Sequence, residues 1–146
     1  MAFIVVGGFA VGAHGYPRAT KDVDIVPSPT RENLVHLARV LDNLDYEIVG
    51  MEDFKREELV QPDLEGLLAG GSWVLRTRYG RLDIMQLVPP ELGYEDLRPD
   101  AIEDEVFGIQ VSFCGYQHLV AMKEAAGRPE DIKDLQRLRE ARGELE

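Results

Sequence analysis

Apolar and polar positions along this chain follow two periods, and each change of period marks an element. Phe3-Ile4-Val5-Val6 is an unbroken apolar run ended by Gly7-Gly8, the pattern of a buried strand closed by a tight turn. Phe9, Ala10, Val11 and Ala13 then suit a short packed helix, which Gly15-Tyr16-Pro17 breaks. From Asp22 to Val26 acids alternate with aliphatics, which predicts a strand with one polar face. Pro27-Ser28-Pro29-Thr30 supplies a turn and an N-cap, and Leu34, Leu37, Ala38, Leu41 and Leu44 recur at helical spacing, so a helix is expected over 31–44. Positions 46–49 read as a third strand, and the polar stretch 52–71, punctuated by Pro62, Gly66, Gly70 and Gly71, as short helices and loops. Segments 73–78 and 81–88 flank Tyr79-Gly80 as the arms of a hairpin, and 101–106 and 109–113 form another around Phe107-Gly108. Two helices finish the chain, one over 116–126 stopped by Gly127 and one opening at Pro129 with Ile132, Leu135 and Leu138 on its stripe. Strands and helices interleave, so the fold class is α/β (α+β), a mixed sheet with helices packed on it.

Composition narrows the setting. A length of 146 residues, 45% hydrophobic, is that of one domain with a single core, so positions 1–146 are read as one unit. Every apolar run is far shorter than the roughly 20 residues that span a bilayer, and no basic n-region or cleavage site follows Met1, so a cytosolic protein with no membrane partner is expected. Cys114 stands alone, which excludes an internal disulfide or a thiolate zinc site and leaves it as a small buried hydrophobe. Acidic side chains outnumber basic ones 27 to 16, and the net charge of −11 opposes an extended nucleic-acid surface.

The chemistry concentrates in three places. Two glycines between a buried strand and a helix let backbone approach a ligand, and a helix N-terminus offers free N–H groups to phosphate; steric turn chemistry alone also accounts for them. Asp22 and Asp24 are two apart in a strand and leave the same face, while Val23 and Ile25 point to the core. Two anions that close repel each other unless a cation sits between them, and magnesium is the natural candidate. Asp83 lies in a strand otherwise made of Leu82, Ile84, Met85 and Leu87, where an unpaired carboxylate is costly, and a third metal ligand accounts for it. Arg18 and Lys21 flank the acids, as phosphate-neutralising cations or as plain surface residues. Lys123 and Arg128 approach from the C-terminal helices, or Lys123 pairs with acids on its own helix. His14 reads as a packed or capping residue, and His36 and His118 show no ligand partners.

Taken together, Val5-Val6-Gly7-Gly8, then Arg18-Ala19-Thr20-Lys21-Asp22-Val23-Asp24-Ile25, then Gly80-Arg81-Leu82-Asp83-Ile84 resemble the nucleotidyltransferases of the DNA polymerase β superfamily in their small, stand-alone or toxin-type forms. The likeness covers positions 3–88, and more loosely the Lys123 to Asp131 stretch, which is similar to a basic helical end in that group. The resemblance implies a nucleotidyltransferase-like mixed sheet and transfer of a nucleoside monophosphate from a nucleoside triphosphate to a hydroxyl acceptor. It implies two Mg2+ ions on Asp22 and Asp24, with Asp83 as the third acid activating the acceptor. Gly7 and Gly8 would cradle the phosphates, and Arg18, Lys21 and Lys123 would add positive charge. The acceptor stays open among a tRNA end, a protein hydroxyl and a small molecule such as an aminoglycoside. Many relatives carry a helix ahead of the first strand. Its absence here implies an undercovered sheet face, from either a trimmed domain or a homo-oligomer or protein partner that covers the N-terminal strand.

Two rivals differ in class. Gly7-Gly8-Phe9-Ala10-Val11-Gly12 does not supply the G-x-G-x-x-G of a dinucleotide fold, and no G-K-[ST] loop occurs. The second is a catalytically silent binding or regulatory module, such as one component of a toxin–antitoxin pair. The intact acid triad opposes it, and the short stretch after Cys114, with no large helical domain for an acceptor, keeps it in play.

Overall fold

The computed structural model describes residues 1–15 and 22–143, so Arg18, Lys21 and the Tyr16-Pro17 break lie outside the described residues. Among the described residues seven strands form one mixed sheet: β1 (Phe3–Val6), β2 (Asp22–Pro27), β3 (Glu47–Ile48), β4 (Trp73–Thr77), β5 (Gly80–Ile84), β6 (Ile102–Val106) and β7 (Ile109–Phe113). Their order is β3-β4-β5-β2-β1-β7-β6. The helices are α1 (Gly7–Ala13), α2 (Arg31–Asp42), α3 (Leu64–Leu68), α4 (Tyr94–Leu97), α5 (Tyr116–Ala126) and α6 (Pro129–Ala141).

The predicted elements are present, although the hairpin arm expected over 81–88 ends at Ile84, and the topology adds what periodicity does not carry. β1 runs antiparallel to β2 and parallel to β7, whereas β2 and β5 pair in parallel. β1 and β2 therefore stand in the middle of the sheet. Successive strand residues face opposite ways, and Ile4, Val5 and Val6 are all buried, so both faces of β1 are covered by the chain itself. This corrects the expectation of an undercovered first strand. Much of the closure comes from a buried polar side chain. Asn33 on α2 accepts a hydrogen bond from the Ala2 amide (2.6 Å), and its Nδ2 donates to the carbonyls of Ala2 (2.8 Å) and Ser28 (2.9 Å). One residue thus clamps the start of β1 to the end of β2.

Local rules account for the helix limits. The Thr30 side chain accepts from the Asn33 amide, as an N-cap does. α5 stops where Gly127 adopts φ +61, and Pro129 opens α6. The core is one continuous cluster in which Ile4, Val26, Leu75 and Ile84 of the sheet meet Leu34, Leu37, Leu41, Leu119 and Leu138 of the helices. Among the described residues no helix is long and apolar enough to cross a membrane.

Candidate active site

Pairing geometry builds the site. Because β2 and β5 are parallel, Asp24 lies in register with Asp83 and Asp22 with Arg81, and in-register neighbours share a face. On the other side of β2, Val6 pairs with Asp24, which brings the next residue, Gly7, against the same carboxylate. The expected two-residue turn is compressed: α1 begins at Gly7 directly after the strand, with Gly7 at φ +71. A Cβ placed on Gly7 would stand 1.9 Å from Asp24 Oδ2, so only glycine fits both the backbone angle and the carboxylate beside it.

The structure sets the Asp24 and Asp83 carboxyls side by side across the β2–β5 register, where each perturbs the other's proton. Burial pushes the Asp24 carboxyl up to about 7, and the neighbouring Asp83 and Asp22 add to the rise. Burial likewise raises Asp83, against the opposing pull of Asp24 and Arg81. A proton is therefore held at this acid pair more tightly than an exposed aspartate holds one. Asp22 is set apart from them by Arg81, whose Nε is 3.8 Å from Asp22 Oδ1 and whose Nη2 is 3.9 Å from Asp83 Oδ1. Among the described residues no three His, Cys, Asp or Glu side chains stand together in an arrangement that holds a metal ion. Magnesium asks for less than that, since it is usually held by one or two carboxylates together with substrate phosphates. The residues fit such an ion on two counts: an acid pair closer than two charges tolerate, and a buried Asp83 Oδ1 that accepts no hydrogen bond.

These groups open into a cavity of about 490 Å³ whose rim includes Gly7, Gly8, Asp22, Asp24, Arg81 and Asp83 on one side and Lys123 and Arg128 on the other. Met85, Val88, Leu119 and Met122 give it an apolar wall. A second cavity of about 300 Å³, beside Tyr46, Met51 and Phe54, is lined by none of the residues that the sequence singled out. Lys123 is nearly buried on α5, and its Nζ is held by two acids of α6, Asp131 at 3.2 Å and Asp134 at 2.9 Å. Its charge still reaches Asp24 and favours that carboxylate's ionised form. Pairing within its own helix does not occur; the partners come from the next one. Arg128 closes the same cluster by donating to Asp131 through Nε at 2.7 Å. Burial alone would raise Asp131, but the hydrogen bonds from Arg128 and Lys123 hold it below the usual carboxylate range.

Of the sequence-predicted residues, Gly7, Gly8, Asp22, Asp24, Asp83 and Lys123 meet at one cavity. His14 does not join them; it ends α1 and bonds through Nε2 to the Cys114 carbonyl at 2.7 Å. Sequence reasoning passed over Arg81, although the alternation that pairs Asp22 with Asp24 also puts Arg81 on the face of Asp83. It also gave Asp131 and Asp134 no role. Their three-residue spacing on one helix, with a lysine a helix earlier, was the available signal.

This architecture is a nucleotidyltransferase-like fold: a seven-stranded mixed sheet with helices against it. Among solved structures the chain is similar to the lincosamide antibiotic adenylyltransferase LnuA in its lincomycin-bound form, with a TM-score of 0.57 and 13% identity over 96% of this chain and 87% of that one. No family model matches the chain, and no curated protein does.

Proposed function

We propose that this chain is a metal-dependent nucleotidyltransferase that moves a nucleoside monophosphate from a nucleoside triphosphate to a hydroxyl acceptor. The observation that carries the reading is the Asp24–Asp83 pair, locked in register on adjacent strands and pressed against Gly7 at the mouth of a cavity. Asp24 and Asp83, joined by Asp22, would hold Mg2+, two ions in all. When bound, the ions would neutralise triphosphate charge and stabilise the attacking and leaving oxygens of an in-line displacement.

The chain's own groups do the rest. Gly7 and Gly8 begin α1 with no side-chain cap, so first-turn N–H groups are available to phosphate oxygens. Asp83 takes the acceptor proton from its place beside Asp24 on the neighbouring strand. The acceptor oxygen bonds to the α-phosphorus as the bond to the β-phosphate oxygen breaks, and pyrophosphate leaves. Lys123, Arg18 and Lys21 would contribute positive charge to the triphosphate. The apolar wall of Met85, Leu119 and Met122 suits a base or a small acceptor better than a charged polymer. The similar LnuA structure is of an adenylyltransferase, which makes ATP the first donor to try and a small hydroxylated molecule the first acceptor. Cytosol is the compartment in which we place the reaction.

The test is a survey in which the purified protein is offered each α-labelled nucleoside triphosphate with Mg2+ and a cell lysate, followed by separation of labelled products into RNA, protein and small-molecule fractions. Transfer by wild type that vanishes in Asp83→Ala supports the reading. Metal-dependent binding of triphosphate with no transfer to any fraction favours a silent binding or regulatory module, and full labelling by the mutant removes Asp83 from the mechanism.

A further inference from the structure

Arg81 has no place in the reaction as just described, yet its guanidinium is ion-paired to two of the three acids Asp22, Asp24 and Asp83. Its guanidinium lies within 4 Å of two carboxylates on two different strands, Asp22 at 3.8 Å and Asp83 at 3.9 Å. These are ion-pair distances without the close, parallel contacts of a bidentate arginine–carboxylate bond. The side chain is also 44% exposed, while Asp83 is only 19% exposed. A loosely held, half-exposed arginine on a rigid strand is free to swing at its outer end while its Cα stays fixed. Its donors reach toward both of the acids that a divalent ion would need to join. By contrast, Lys123 is nearly buried and fastened to Asp131 and Asp134, so it has little room to change partners.

We propose that Arg81 is a two-position cation. In the ligand-free chain it stands in for the metal between Asp22 and Asp83, and when a divalent ion takes those carboxylates it turns outward and grips the triphosphate. This rests on the nucleotide-site reading above. A planar guanidinium suits both stations, because carboxylate and phosphate present the same pair of oxygens to its fork of N–H donors. The arrangement keeps the acids compensated in the empty protein. It also makes metal and arginine competitors for the carboxylates but allies at the nucleotide, which gives the proposal a signature that a merely structural arginine lacks.

The experiment measures two affinities in wild type, Arg81→Ala and Arg81→Lys: Mn2+ alone, by paramagnetic resonance of the free ion, and a non-hydrolysable ATP analogue at saturating Mg2+, by calorimetry. Arg81→Ala is expected to bind Mn2+ about two- to fivefold more tightly, the strength of the exposed ion pairs it removes. It is expected to bind the analogue roughly tenfold more weakly, the loss of one charge-assisted hydrogen bond to phosphate. Arg81→Lys should keep part of both effects, since a point charge replaces the fork. If wild type binds both ligands and Arg81→Ala leaves Mn2+ affinity unchanged, or weakens both alike, the two-position role is overturned while the nucleotide site stands. If wild type binds neither, the nucleotide reading itself fails and this proposal with it.

Discussion

Replacing Asp24 by asparagine tests the acid pair through folding stability, a readout separate from catalysis. Asparagine keeps the shape of the carboxyl and cannot ionise. Folding lifts Asp24 from its ordinary 3.8 to about 7, which means the native chain holds that proton far more tightly than the unfolded chain does. A rise of that size corresponds to ~4 kcal/mol against the charged form, and because the carboxyl keeps some access to water, screening brings the measurable part to about 2 kcal/mol. The sign follows from linkage: the stability this proton contributes is complete below pH 3.8 and is lost progressively until the pH passes about 7. Wild type should therefore weaken relative to Asp24→Asn as pH rises through this window.

The sequence pI of about 4.7 sets a practical lower limit near pH 5.5, where roughly half of the decline, ~1 kcal/mol, is still to come. Urea unfolding of both proteins from pH 5.5 to 8 is the assay, the quantity read being the stability of the mutant minus that of wild type. Taking the difference cancels the self-repulsion that both chains share at high pH. The expected gap widens by ~1 kcal/mol across the range, about 3 °C in Tm for a chain of this size, and then stays flat above pH 7.5. With Mg2+ and a triphosphate analogue present, wild type should recover, because cations replace the proton held at the acid pair. Parallel stability curves for the two proteins would show that the Asp24 carboxyl is not held in this acid pair, and the site would lose its central feature.

Four further outcomes are expected. Gly7→Ala drives a methyl into Asp24 Oδ2 and demands φ +71 of an alanine, so it should lower stability by ~1–3 kcal/mol and abolish metal-dependent nucleotide binding, read by melting and calorimetry. Asn33→Leu leaves the Ala2 amide and the Ser28 carbonyl without their buried partner and should cost ~2–4 kcal/mol in denaturant unfolding. Lys123→Met removes the buried cation that joins Asp131 and Asp134 to α5 and should cost ~3–5 kcal/mol in denaturant unfolding. Phe107, fully exposed at φ +50 in the β6–β7 turn, should yield to asparagine with a gain of ~0.5–1 kcal/mol, since asparagine accepts the left-handed conformation more readily.

Periodicity made most elements legible because each is amphipathic or apolar in a way that follows its own geometry. α2 shows its stripe in Leu34, Leu37 and Leu41, and β2 shows its polar face in Asp22 and Asp24. Contacts between distant strands leave no such mark. Nothing local says that β2 pairs in parallel with β5, 59 residues later in register, so the Asp24–Asp83 pairing had to come from the fold. The same holds for buried polar residues inside a helix. Asn33 looks like an ordinary polar position on α2, and its three bonds to Ala2 and Ser28 exist only once the strands are placed. Lys123 was visible as a cation near the site, but its partners lie across a helix–helix interface, which spacing along α5 does not encode.

The charge around the cavity decides in what order its ligands can arrive. Among the described residues five acids, Asp22, Asp24, Asp83, Glu130 and Asp131, face three cations, Arg81, Lys123 and Arg128. Those cations are already engaged with acids. A triphosphate approaching alone meets a surface of its own sign with no uncommitted positive partner among these groups, and desolvating it there is unfavourable. A divalent ion meets the opposite situation: a carboxyl pair crowded enough to retain a proton, which the ion displaces. The triphosphate should therefore bind with the metal or after it. Titration with ATP in the presence of a chelator should show no measurable uptake, and nucleotide affinity should rise with pH between 6 and 8 as the Asp24 proton becomes easier to remove.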